Sequence, residues 1–130
     1  MWIAVAALKT SRGSAWLRFW ALLQAFVAAQ LPTSLPGAIS FYDHDVDEGE
    51  ISGVVEFLKA PSEDDVTKYT IYWASSPTTK LLPLVTLPAN GFDPSYNIPV
   101  DTAVPVIGGV AATHFLAFSA NAIGESSDSS

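Results

Sequence analysis

The stretch VTKYTIYWA, residues 66–74, decides the fold class. Tyr69, Ile71 and Trp73 alternate with Thr70 and Tyr72, so aromatic and β-branched side chains line both faces of a pattern with period two, the period of a strand. Upstream, ISGVVEFLK (51–59) follows the same rule, with Val55 and Phe57 on one face and Val54, Glu56 and Leu58 on the other. The segment APSEDD (60–65) separates the two, because Pro61 cannot donate to a ladder and the acids favour a turn. Working outward, AISFY (38–42) reads as an earlier strand and KLLPLVTL (80–87) as a later one that Pro83 makes either an edge strand or a broken one. Asn90 and Gly91 mark a turn before a short strand at 95–100. Gly108 and Gly109 mark a loop before THFLAFSAN (113–121). Short strands at this spacing predict an all-β chain, an antiparallel immunoglobulin-like β-sandwich of six to seven strands over residues 38–126. The last strand is expected to be truncated, and the Ser-rich residues 127–130 to form a flexible tail.

Of the 130 residues, 49% are hydrophobic and 15% charged, a globular balance far from that of disordered chains. The charges divide the chain in two. Lys9, Arg12 and Arg18 precede any acid, and the first acid is Asp43. Residues 1–29 therefore read as a signal-peptide-like segment: a basic stretch to Arg18, an apolar stretch over 19–28, and small residues at Val27 and Ala29 before Gln30. Secretion is the expected destination. The apolar run falls short of the roughly 20 residues that span a bilayer, and Gln24 interrupts it, so no stable membrane span is expected. Residues 30–37, which contain LPTSLPG, read as a linker. Beyond residue 29 the chain carries thirteen acids against three bases, which argues against nucleic acid as a partner. With no cysteine, the fold must stand without disulfides.

The run DHDVDEGE (43–50) places Asp43, Asp45 and Asp47 at the spacing of the first ligands of an EF-hand loop. The sixth position of that loop should be glycine and the twelfth glutamate; here they are Glu48 and Val54. In addition, residues two apart on an extended strand lie roughly 6.6 Å from each other, so these carboxylates converge only if the backbone bends. The run reads first as a solvated acidic loop. The alternative is a calcium site built from Asp43, Asp45, Asp47 and Glu48, in a calcium-dependent or carbohydrate-binding module.

Other chemistry finds little support. The histidines are His44 and His114, some 70 residues apart, too few and too scattered for a zinc site. There is no G-x-S-x-G elbow and no phosphate loop, so the chain is not expected to be an enzyme or to need a cofactor. Tyr72 and Trp73, on opposite faces of one strand, are candidate binding residues, since one must point outward if the other enters the core.

The stretch VVEFLKAPSEDDVTKYTIYW (54–73) resembles the second and third strands of a fibronectin type III domain. Phe57 stands where that family usually has tryptophan, Pro61 matches its proline and Tyr69 its core tyrosine. FSANAIGES (118–126) resembles the family's penultimate strand and its Asn-x-x-Gly-Glu-Ser corner, matched by Asn121, Gly124, Glu125 and Ser126. The chain departs from the pattern where the family has a tyrosine at the start of that strand: here stand Thr113, His114 and Phe115. The resemblance implies an adhesion, spacer or recognition module whose partner is another protein or a neighbouring module.

Overall fold

The computed structural model describes residues 30–130, and Leu31–Ser130 forms one compact unit. The signal-peptide reading concerns residues that lie outside this range. Eight strands follow in order: β1 (Ile39–Phe41), β2 (Glu50–Phe57), β3 (Lys68–Ser76), β4 (Thr79–Pro88), β5 (Ser95–Ala103), β6 (Val106–Ile107), β7 (Val110–Ala111) and β8 (His114–Ala120). They make two three-stranded antiparallel sheets, ordered β1-β2-β5 and β4-β3-β8, and a two-stranded hairpin β6-β7. The described residues are all-β, as their alternation predicts, and the two larger sheets are arranged as a β-sandwich.

The core is built from the faces that the alternation marks. Val55 and Phe57 of β2 meet Tyr69 and Ile71 of β3 and Ala117 of β8, all buried, while Val54, Glu56 and Leu58 are exposed. Each large apolar side chain buried in this way contributes about 1.5–3 kcal/mol over leaving it in water. Phe57 packs edge-on to Tyr69 with ring centroids 5.3 Å apart, and Phe41 meets Phe115 in the same manner at 5.2 Å. Pro83 lies in β4, an outer strand, and the β3–β4 register shifts between Ile71 and Tyr72, opposite it. The ladder thus accommodates a residue that cannot donate.

Three local features add to the sequence reading. The turn between β3 and β4 is tight, because β3 runs to Ser76 and β4 starts at Thr79. The Gly108-Gly109 loop is a tight hairpin turn with φ of 57° and 82°, the double positive φ of a type I′ turn. Residues 31–37, read as a linker, are bound to the sandwich. The Gly37 N–H donates to Leu58 O at 2.7 Å, the Thr33 N–H to the Asp65 carboxylate at 3.2 Å, and the Ser119 hydroxyl to Ser34 O at 2.7 Å.

The segment after β8 turns back along that strand's outer edge. Glu125 bridges Ala120, the Ser126 N–H donates to Ser119 O at 2.8 Å and the Ser130 N–H to Ala117 O at 3.0 Å. Among the described residues no helix is long and apolar enough to cross a membrane.

Candidate functional site

The acidic run folds as a bent loop. The Asp43 carboxylate accepts the backbone N–H of Asp45 at 2.9 Å and of Ser52 at 3.1 Å, and Asp45 Oδ1 accepts the N–H of Asp47 at 3.0 Å. Each aspartate thus holds the chain two residues on, an Asx turn repeated, which is the bend that the strand argument lacked. β2 then begins at Glu50, paired with Ala103 at the far end of β5. This pairing brings in Asp101, whose φ of 60° is the left-handed conformation that aspartate tolerates better than most residues. Its N–H donates to Asp45 Oδ2 at 3.2 Å.

Asp45, Asp47, Glu50 and Asp101 each place one carboxylate oxygen within 4.8 Å of the others. Calcium holds oxygens about 2.3–2.6 Å away, so two ligand oxygens on opposite sides of one ion lie up to about 5 Å apart, and this spacing fits. Calcium takes six to eight oxygens, so four carboxylates leave room for backbone or water oxygens. The cluster overlaps the sequence reading at Asp45 and Asp47 only. Asp43 is not among the four, its carboxylate accepting two backbone N–H groups, and exposed Glu48 is not among them either. Partial desolvation raises the carboxyl of Glu50 above its ordinary range, and the nearby charges of Asp101, Asp45 and Asp47 raise it further. Glu50 closes the same run, 43–50, where the sequence reading takes Glu48 instead; Asp101 escapes a local reading because the fold joins it across half the chain, and the Asp-Thr pair near the end of β5 carries no signal of its own.

Trp73 faces inward, 6% exposed, against Phe115. Tyr72 faces the other way, as the alternation requires, but it is clasped rather than free. Its ring packs edge-on to Phe118, the Lys80 ammonium lies 4.4 Å from its centroid, and its hydroxyl donates to Glu125 Oε2 at 2.5 Å. Lys80 also bridges Glu125 at 2.9 Å. Burial pushes the Tyr72 hydroxyl up to about 12, with the hydrogen bond to Glu125 adding to it. Partial burial alone would raise Glu125, yet the hydrogen bonds from Tyr72 and Lys80, with the Lys80 charge, outweigh it and hold the carboxyl below its usual range.

A groove of about 340 Å³ opens between β1 and β8, lined mainly by Ile39, Phe41, Ile51, Trp73, Ala112 and Phe115. At its rim the Thr113 hydroxyl donates to Ser75 O at 3.0 Å and lies 2.7 Å from His114 Nδ1. The hydroxyl has a single proton, so His114 donates from Nδ1. The exposed His44 ring lies tilted beside Tyr42, centroids 5.0 Å apart, and the His44 backbone N–H donates to Ser52 O at 2.8 Å. Neither histidine belongs to the acidic cluster.

No family model, no curated protein and no solved structure matches the chain.

Proposed function

We propose that the chain is a non-catalytic, fibronectin type III-like module of a secreted or surface protein, serving in structure or protein interaction. The observation that supports this reading is the pairing of two antiparallel sheets around Phe57 and Tyr69, the residues at which the sequence resembles that family. A rigid scaffold of this kind acts by holding loops and strand edges out to a partner. Its partner is a protein or a neighbouring module. The acidic surface opposes nucleic acid. Surface plasmon resonance with the full chain immobilised, against fractionated extracellular proteins, is expected to give saturable binding of a discrete species. Absence of any saturable species, or turnover of a substrate from a hydrolase panel, would defeat the reading.

A second reading, a calcium-dependent module, rests on the four carboxylates at Asp45, Asp47, Glu50 and Asp101. A ligand bound to the folded state alone stabilises by about 2.7 kcal/mol at a hundredfold excess over its Kd. Thermal melts in calcium and in chelator are expected to differ for the natural chain and for Asp43→Asn, and to coincide for Asp101→Asn. Coincident melts for the natural chain would remove this reading and leave the first untouched.

A further inference from the structure

Among the described residues, three of the four edges of the two larger sheets carry features that discourage pairing with another chain. β1 is three residues long and follows Pro36; β4 contains Lys80, Pro83 and Pro88 with register shifts; β5 contains Pro99 and ends near Asp101 in its left-handed conformation. Prolines, charges, irregularities and shortness are the usual means of blunting an edge. β8, HFLAFSA, has none of them.

That edge is covered over part of its length. Backbone groups of alternate residues point outward along it: Asn121 meets Gly124 O at 3.0 Å, Ser119 meets the Ser126 N–H, and Ala117 meets Ser130. The next residue in this alternation is Phe115, and no described residue pairs with its backbone N–H or C=O. Beside it lies the apolar groove, with Phe41 and Trp73 in its walls and no carboxylate in its lining. An open pair of backbone groups next to an apolar trough calls for a particular occupant. Only an extended strand bonds to the first while setting every second side chain into the other.

The geometry points to strand capture at this edge: an extended segment of a partner polypeptide lies antiparallel to β8, in line with residues 124–130, and fills the groove with apolar side chains at alternate positions. Thirteen acids against three bases beyond residue 29 make basic flanks the favoured surroundings of that strand. This inference rests on the interaction-module reading and names the kind of partner such a module takes.

The probe is a short peptide of alternating valine and threonine with lysine at each end, titrated into the full chain while amide hydrogen exchange is followed. Saturable binding that slows exchange at Phe115 is expected. N-methylation of the peptide residues that face β8 keeps the side chains but removes the donors; it should weaken binding about tenfold per lost hydrogen bond. Ser40→Lys, an exposed substitution on β1 at the groove, should weaken binding while leaving the melt unchanged. Equal binding by the methylated peptide would make the groove a site for apolar molecules in general and overturn the proposal. So would binding without protection of Phe115, or no saturable binding. If a species retained by the immobilised chain leaves Phe115 exchanging freely, strand capture falls and the interaction reading stands. If no species is retained and the peptide also fails, both fall.

Discussion

Replacing Tyr69 by phenylalanine isolates one hydroxyl in the core. The Tyr69 side chain is fully buried, and its hydroxyl accepts the N–H of Ala60 at 2.9 Å and donates to Glu63 Oε2 at 2.5 Å. The other oxygen of Glu63 accepts the N–H of Gly91 at 2.8 Å. One hydroxyl thus links the turn after β2 to the turn between β4 and β5. Phenylalanine keeps the ring and its edge contact with Phe57, so no cavity opens. The loss is polar. Ala60 is fully buried, and a buried donor left without a partner costs about 1–3 kcal/mol, whereas Glu63 is half-buried and can turn to water. A destabilisation of about 2 kcal/mol follows, which in a domain of this size lowers Tm by about 8–16 °C. Urea denaturation should show a lower midpoint at unchanged slope, since the exposed surface is the same. In a double-mutant cycle with Glu63→Gln, the two changes should couple rather than add. A shift under about 2 °C, or strict additivity, would refute the claim that this hydroxyl ties the two turns together.

Further outcomes follow from other sites. Gly53, at a φ of 139° beside the β2 irregularity, approaches the Tyr42 carbonyl so closely that an added Cβ would overlap it; Gly53→Ala should cost about 2 kcal/mol or more by urea denaturation. Burial pushes the Tyr69 and Tyr72 hydroxyls up to about 12 from about 10, so their protonated forms favour folding. That contribution is complete below about pH 10 and disappears as pH rises through about 12; Tyr72→Phe should flatten this part of a Tm-against-pH curve. Glu125 is depressed, so its contribution is present above the ordinary carboxylate range and is lost as pH falls through its folded value. Glu125→Gln should blunt the acid limb of the same curve, and an unchanged limb would contradict the clasp. In chelator, Glu50→Gln should stabilise the fold at neutral pH, because it removes a charge that Asp45, Asp47 and Asp101 oppose.

Period-two patterning was sufficient wherever a strand buries one face. That Val55 shares a face with Phe57, that Tyr69, Ile71 and Trp73 share one, and that Tyr72 lies opposite Trp73 follow from alternation alone, while burial decides which face is inward. Pro83 marks its strand as an edge or a broken strand, and the structure makes it an edge. The β6–β7 hairpin reads in the sequence only as a loop: its Gly-Gly pair suits a type I′ turn, but two residues a side are too few to announce strands. The acidic cluster was half legible. Asp45, Asp47 and Glu50 all lie within the run 43–50, whereas Asp101 is joined to them by the β2–β5 register, a non-local quantity that no window of sequence contains. The same holds for Tyr72, whose placement opposite Trp73 was readable but whose partner Glu125 arrives from beyond β8.

The Glu125 clasp has a mechanical consequence. Tension applied to the chain at Ser130 reaches β8 through the hydrogen bonds of residues 124–130, and these are anchored to β3 by Tyr72 and to β4 by Lys80. A pull on that end would first peel the residues beyond Glu125 and then meet the clasp, before it loads the β3–β8 ladder. Under force spectroscopy the domain is therefore expected to yield in two steps, an early one set by the Tyr72–Glu125–Lys80 contacts and a later one set by the sheet. A neighbour tethered there would feel a spring with a built-in stop.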